Sequence, residues 1–99
     1  MRIHARTLRG VTEVKVLMPH PMETGLRRSA TGESVAVHHI THVVVTLGER
    51  IVFEARCSFA MSRDPLIVFR IRDALAGQRL RVAWTDNRGQ KRSDDTVIA

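Results

Sequence analysis

The feature that most constrains the fold is the alternation of apolar and polar residues with a period of two. In residues 11–18, VTEVKVLM, it places Val14, Val16 and Met18 on one side of an extended chain and polar side chains mainly on the other. The same pattern predicts further strands at 2–7, 40–47, 50–57, 66–72, 79–85 and about 92–98. No segment has the period of an amphipathic helix. The chain is therefore predicted to be all-β.

Short turn signals separate the predicted strands. Gly48-Glu49 leaves two residues between neighbouring strands, which is typical of a tight hairpin, and Arg9-Gly10 supplies another turn. A chain of 99 residues has the length of one domain, so we expect a single domain over 1–99. Six to eight short strands at regular spacing predict an immunoglobulin-like two-sheet β-sandwich, with Trp84 in its core.

The chain is basic. It carries 16 Lys and Arg residues against 10 Asp and Glu, a net charge of +6, and nearly all of its basic residues are arginine. A nucleic acid or an acidic protein surface would complement this charge, although a soluble surface with a basic bias needs no partner. The aromatic residues Phe53, Phe59, Phe69 and Trp84 are all assigned to the core, which leaves no exposed platform for stacking bases. Because the charge favours a nucleic acid although no stacking platform remains, a basic nucleic-acid-binding β-domain is the alternative hypothesis.

Cys57 is the only cysteine, so no disulfide can form within the chain. It shares a predicted strand face with Ile51, Phe53 and Ala55, and Phe59 continues that face, so Cys57 is expected in the core. The N-terminal residues have no apolar core of the length that a secretory signal needs, and no window approaches the ~18 apolar residues of a membrane span. By themselves these absences favour a cytoplasmic protein without a membrane partner.

The histidines do not have the spacing of a metal site. On one strand His38 and His42 lie ~13 Å apart and cannot share an ion. We therefore predict that His38, His39 and His42 are surface residues and that the chain holds no metal or cofactor. No nucleophile elbow, P-loop or glycine-rich dinucleotide motif occurs, so we expect no catalytic residue. A small enzyme that uses Cys57 or the histidines is the third hypothesis.

The segment MPHPMETGLRR at 18–28 departs from the strand pattern. Its two prolines lack backbone donors and exclude a central strand, so residues 19–34 are predicted to form a long, partly constrained loop. Loops of this length are uncommon in compact domains unless they are functional or disordered. A proline-stiffened loop would present Met22 and Leu26 to a partner at low entropic cost. The alternative is a well-ordered connection that packs only on its own domain.

Residues 20–28, HPMETGLRR, closely resemble the signature of the SoxZ family. That signature continues with a glycine, which Gly32 matches here. Three later segments resemble family turns in the same order along the chain: Ser62-Arg63-Asp64-Pro65, Ala76-Gly77 and Trp84-Thr85-Asp86-Asn87-Arg88-Gly89. The departures from the family pattern are Ser29, Ala36 and Asp64.

The resemblance implies a non-catalytic subunit of SoxYZ, the heterodimeric carrier of thiosulfate oxidation. In that family an immunoglobulin-like SoxZ scaffolds SoxY, which holds the sulfur intermediate on a cysteine of its C-terminal arm. The last residues here, DTVIA, lack such an arm, so we expect the non-carrying subunit. The resemblance also implies a periplasmic location, reached by export with a signal-bearing partner, and transient contact with other sulfur-oxidation enzymes.

The resemblance assigns partner binding to the signature. We predict as binding residues His20, Pro21, Met22, Glu23, Thr24, Gly25, Leu26, Arg27 and Arg28. When the partner is absent, an exposed strand edge offers a route to a homodimer.

Overall fold

The structure, a computed structural model, describes residues 1–58 and 60–99. The described residues form seven strands: β1 Arg2–Leu8, β2 Val11–Leu17, β3 Ile40–Leu47, β4 Arg50–Arg56, β5 Leu66–Arg72, β6 Arg79–Asp86 and β7 Lys91–Val97. They contain no helix. The prediction of an all-β chain is confirmed. Phe59, predicted to continue a core face, lies outside the described residues.

The strands form two antiparallel sheets. One has the order β1-β2-β5 and the other β4-β3-β6-β7. The chain crosses between the sheets after β2, after β4 and after β5, so each sheet is assembled from strands that are distant in sequence. Two sheets with these crossings make the predicted immunoglobulin-like β-sandwich.

The core contains the inward residues of the period-two pattern. Val14, Val16 and Met18 are almost completely buried, as are Leu80 and Val82 of β6. Each fully buried aliphatic side chain of this kind contributes about 1.5–3 kcal/mol relative to an exposed one. The sheets therefore owe their cohesion to the residues that the alternation assigned to the interior.

A β-bulge changes the face assignment in β4. Val45 lies opposite Phe53 but Thr46 lies opposite Ile51, so Val52 is an extra residue in its strand. Ile51 is consequently 56% exposed, while Val52 packs against the core. The prediction that Ile51 faces inward is wrong. The extra residue Val52 reverses the side-chain direction of the β4 residues that precede it.

Cys57 follows the end of β4 and is half-buried against the core cluster. Burial raises the pKa of its thiol, which disfavours the thiolate form. The expectation that Cys57 lies in the core is met only in part, because its side chain packs against the core cluster but is half-buried.

The two long sides of the sandwich are closed differently. Beside β1, the Thr7 N–H donates to the Ala99 carbonyl (2.8 Å) and the Ala99 N–H donates to the Ala5 carbonyl (2.9 Å). Beside β4 and β5, the rings of Phe53 and Phe69 stack across the sheets with centroids 4.4 Å apart. Backbone pairing thus covers one edge, and an aromatic pair holds the other side together.

We expect Leu80→Ala to lower the free energy of unfolding by about 2–5 kcal/mol, because the vacated volume lies in a closely packed core. Urea denaturation followed by tryptophan fluorescence measures the change. Leu75→Ala is the matched control, since Leu75 is 66% exposed and its truncation should change stability by less than about 0.5 kcal/mol. Equal effects of the two substitutions would contradict the core assignment.

Candidate functional site

The proline-rich segment continues the alternation of β2 beyond its last residue. Met18, His20 and Met22 point inward, whereas Pro19 and Pro21 point to solvent. The prolines therefore occupy the outward positions of an extended segment, where their missing N–H groups leave no ladder bond unmade.

Residues beyond the end of β2 are tied to those that precede β5. The Met18 N–H donates to the Pro65 carbonyl (3.0 Å). The His20 N–H donates to Asp64 Oδ1 (2.9 Å), and the Asp64 N–H donates back to the His20 carbonyl (2.9 Å). The strand pairing is thereby extended as far as His20, which fixes where the following loop leaves the sandwich.

Residues 23–38 form an irregular hairpin, which we call the arm. Glu23 and His38 exchange two backbone hydrogen bonds at its base (2.6 and 2.9 Å), and the Val35 N–H donates to the Arg27 carbonyl (2.8 Å) further out. The molecule measures 53 × 21 × 17 Å. Its long dimension is about twice the ~27 Å of an eight-residue strand, as expected for a hairpin that extends beyond the sheets.

The base of the arm is held by three polar side chains, which we call the anchor: the buried His20 and Asp86 and the half-buried His38. Asp86 Oδ2 lies 3.2 Å from His20 Nε2 and 2.8 Å from His38 Nε2. An ionised carboxylate only accepts hydrogen bonds, so both imidazoles donate from Nε2. His20 Nδ1 in turn accepts the Met22 N–H (3.1 Å), which requires the Nε2-protonated tautomer when the ring is neutral. The anchor links both strands of the arm to the end of β6.

The other oxygen of Asp86 organises the β6–β7 turn. Asp86 Oδ1 accepts the N–H groups of Arg88 (3.0 Å) and Gln90 (2.9 Å). Burial by itself raises the pKa of Asp86, but hydrogen bonds from His20, His38 and the two backbone groups outweigh it and lower the pKa to about 2. The carboxylate is therefore ionised in a side chain that water does not reach.

The same turn holds the second strand of the arm. Asn87 donates its N–H to the His39 carbonyl (3.0 Å) and accepts the His39 N–H at Oδ1 (2.7 Å). Its side-chain amide also donates to the Val37 carbonyl (3.0 Å). One turn thus fixes both the anchor and the backbone that returns from the arm.

Aromatic contacts complete the surroundings of His20. Its ring meets His38 edge-on at 4.5 Å between centroids and Trp84 at 5.2 Å with an interplanar angle of 89°. Within the described residues, Trp84 Nε1 is the one buried side-chain nitrogen or oxygen without a hydrogen-bond partner. The imidazole is packed as a core residue, which excludes water from its bond to Asp86.

The donor atoms of the anchor lie within 4.8 Å of one another, a spacing that a metal ion can use. However, a metal-binding histidine normally donates its second ring N–H to an acceptor. His20 does the reverse, because its Nδ1 accepts the Met22 N–H and its Nε2 carries the proton. The chemistry of the donors therefore fits a hydrogen-bonded clamp better than a metal centre.

The structure corrects two predictions about the histidines. His38 is not a surface residue of a regular strand; it precedes β3, and its side chain is only 14% exposed. A histidine–carboxylate cluster does form, between residues that are 48 and 66 positions apart in the sequence. His42 stays outside it, and its Nε2 lies 2.6 Å from Glu54 Oε1 on the outer face of the four-stranded sheet.

Met22 is a structural residue. It is only 5% exposed, its φ is +48°, and its sulfur accepts the Ile40 N–H (3.4 Å). The expectation that Met22 is presented to a partner is wrong, because the inward alternation continues through it. A left-handed backbone at a bulky residue is costly and persists only where the surroundings enforce it.

The outer part of the arm is exposed and internally braced. Arg27 pairs with Glu23 through Nη2 to Oε1 (2.7 Å) and Nε to both oxygens (3.0 and 3.1 Å). The hydrogen bond with Arg27 lowers the pKa of Glu23, and the same bond raises the pKa of Arg27. Arg28 donates to the Gly32 carbonyl (3.0 Å). Between these cross-links Leu26 is 83% exposed.

The predicted binding residues therefore divide into three groups. His20 and Met22 are buried and hold the arm, while Glu23 and Gly25 are half-buried. The exposed members are Pro21, Thr24, Leu26, Arg27 and Arg28.

Sequence reasoning missed Asp86. A signal was present, because the inward positions of β6 are Leu80, Val82 and Trp84, and the next position in that series is Asp86. Its assignment to a turn concealed the fact that a carboxylate occupies a core-facing position.

These features define a class of protein: a small immunoglobulin-like β-sandwich that extends a braced hairpin from a buried anchor. A family model described as Sulphur oxidation protein SoxZ matches residues 1–97. The chain belongs to the SoxZ family, and so to the subunits of the sulfur-oxidising Sox system. A search of curated proteins gave no match. Among the described residues, no helix is long and apolar enough to cross a membrane.

We expect the stability of the chain to fall as the pH decreases from about 4 to about 2. The folded pKa of Asp86 lies below its ordinary value of 3.8, so its contribution is complete above that value and is lost as the carboxylate is protonated. The difference between the ordinary and the folded pKa of Asp86 corresponds to about 2 kcal/mol of the free energy of unfolding. Urea unfolding at a series of pH values measures it. Asp86→Asn should be less stable at pH 7 and show a shallower decline; an unchanged slope would contradict the assignment.

We expect Met22→Ala to lower the free energy of unfolding by about 2–5 kcal/mol, since it empties a core site beneath the arm. Thermal unfolding measures the loss. Met61→Ala is a control at another methionine, which is only partly buried against the core and should cost less. A loss at Met22 no greater than that at Met61 would contradict its role in the core.

Proposed function

We propose that this chain is the non-carrying, non-catalytic subunit of a SoxYZ-like heterodimer and that the arm binds the SoxY-like subunit. The partner would carry the sulfur intermediate of thiosulfate oxidation on its own cysteine. This chain would scaffold the partner while the intermediate is presented to the enzymes that process it. Membership of the SoxZ family supports a place in the Sox system. The geometry of the arm supports the assignment of the binding surface.

The observation that carries the proposal is a braced arm with an exposed apolar residue. The anchor fixes its base, and the Glu23–Arg27 pair and the Arg28–Gly32 bond cross-link its outer part. Because these contacts already restrict the chain, little conformational entropy remains to be lost when a partner binds.

The apolar contact of the arm is centred on Leu26. A single exposed leucine is ordinary on a soluble protein. Here, however, Gly25 has a φ of +85° and lies against Val37, so the chain turns beside a second exposed aliphatic residue. Two aliphatic side chains on a preorganised hairpin provide a small apolar centre, and Arg27 and Arg28 lie at its rim.

The state of the titratable groups supports a non-catalytic role. The thiol of Cys57 has a raised pKa and lies against the core, which disfavours a nucleophilic thiolate. The imidazoles of His20 and His38 are committed to Asp86. A SoxYZ-like function does not require a reactive group on this chain, because the reactive cysteine would belong to the partner.

We also propose that the protein works in the periplasm and is exported together with a signal-bearing partner. This location follows from the SoxYZ-like assignment. Fractionation of cells that express the chain with and without its SoxY-like neighbour tests it. The chain should reach the periplasm only when the partner is present.

We expect Leu26→Asp to weaken binding of the SoxY-like subunit by at least about tenfold, because a charge would enter an apolar contact. Isothermal titration calorimetry of the purified subunits measures the dissociation constant, and circular dichroism checks the fold. Leu75→Asp is the matched control, since Leu75 is exposed on the connection between β5 and β6. A wild-type chain that stays monomeric with micromolar partner contradicts the heterodimer. Unchanged affinity of Leu26→Asp contradicts only the arm as its interface.

A further inference from the structure

The outer face of the β1-β2-β5 sheet concentrates positive charge. Its register brings together the side chains that point away from the core, and we call this surface the basic face. Its cationic side chains are Arg2, Arg6, Lys15, Arg70 and Arg72, with Arg9 at the adjoining turn. Glu13 is the one carboxylate in this outward set.

Little of this charge is compensated locally. Glu13 Oε1 lies 3.6 Å from Lys15 Nζ, and Glu13 Oε2 lies 3.8 Å from Arg70 Nη2. Such exposed ion pairs neutralise charge but contribute little to stability. No carboxylate of the described residues forms an ion pair with the remaining arginines of the basic face. On the other sheet the arrangement differs, because Arg79 and Arg81 both pair with Asp95. The excess charge of the chain is therefore localised rather than spread evenly.

Apolar side chains lie among these cations. Leu8 and Val11 are paired across the β1–β2 hairpin and are both exposed. They line an open depression of about 1030 Å³ whose other lining residues are Arg6, Arg9, Glu13, Arg70 and Arg72. Arginines around an aliphatic centre are typical of protein interfaces, where arginine is enriched and forms forked bonds with carboxylates.

The same surface fits nucleic acid less well. Phosphate contacts would use the arginines and leave Leu8 and Val11 exposed to water. Among residues 1–58 and 60–99, the rings that would stack on bases are engaged elsewhere: Phe53 and Phe69 stack on each other between the sheets, and Trp84 is buried. The chain has no tyrosine.

We propose that the basic face is a docking surface for an acidic protein surface, whose carboxylates pair with the arginines around the Leu8–Val11 contact. The centre of this surface, the depression around Leu8 and Val11, is separate from the arm. The depression lies beside Val11, where β2 begins, and the arm follows Leu17, where β2 ends. Seven residues of strand separate the two ends by ~20 Å, so the two surfaces can bind different partners at the same time.

The probe for this proposal is a random glutamate–tyrosine copolymer, which offers carboxylates and apolar groups together. Fluorescence anisotropy at about 150 mM salt compares its affinity for the full chain with that of a short DNA duplex. The triple variant Arg6→Gln, Arg70→Gln, Arg72→Gln should weaken copolymer binding by at least about tenfold. The control variant Arg50→Gln, Arg56→Gln, Arg88→Gln removes the same charge elsewhere and should weaken it by less than about threefold.

A second variant separates protein docking from attraction between net charges. Leu8→Ser should weaken copolymer binding by about threefold or more and leave duplex binding unchanged. Equal losses in the two triple variants would overturn the proposal, as would tighter binding of the duplex than of the copolymer. All variants change exposed side chains. If thermal unfolding shows that the triple variant Arg6→Gln, Arg70→Gln, Arg72→Gln is not folded, the single variant Arg72→Gln replaces it.

Discussion

The arm depends on one ionised carboxylate that is shielded from water. Asp86 accepts two imidazole donors through one oxygen and two backbone donors through the other. A buried charge is stable only when such donors satisfy it, and each donor here belongs to a segment that must be positioned. His20 places the start of the arm, His38 places its end, and the backbone donors shape the β6–β7 turn. A long irregular loop thereby acquires a defined base.

This arrangement explains the residue types in the proline-rich signature. Its inward positions hold a methionine and a histidine because they continue the buried face of β2, and its prolines stand where no hydrogen bond is lost. Apart from Pro21, the exposed residues follow after Met22, which turns the chain with a positive φ. The first part of the signature is thus the root of the arm, and the exposed part of the arm begins at Thr24. The depression of the basic face, at the opposite end of β2, gives the same small domain a second surface with different chemistry.

Much of the fold was predictable because local alternation and turn chemistry decide it. The strands were placed to within a residue or two, and Arg9-Gly10 adopts positive φ at both residues, as a tight hairpin of this kind requires. The bulge at Val52 was not predictable, since an inserted residue is detected only against the partner strand. The assignment of the candidate site to residues 20–28 stays a prediction, and the burial of His20 and Met22 was not predicted.

Except where the bulge interrupts β4, the sequence by itself determined which residues face inward along the strands, because a period of two is a property of the extended backbone. It also marked the segment between β2 and β3 as unusual, because prolines exclude a central strand. Only the tertiary structure decided that His20, His38 and Asp86 meet, since the crossings between sheets bring their strand ends to one end of the sandwich. The same holds for the basic face. Its cationic side chains in the sheet come from three strands, and the register of the hydrogen-bonded sheet alone puts them side by side.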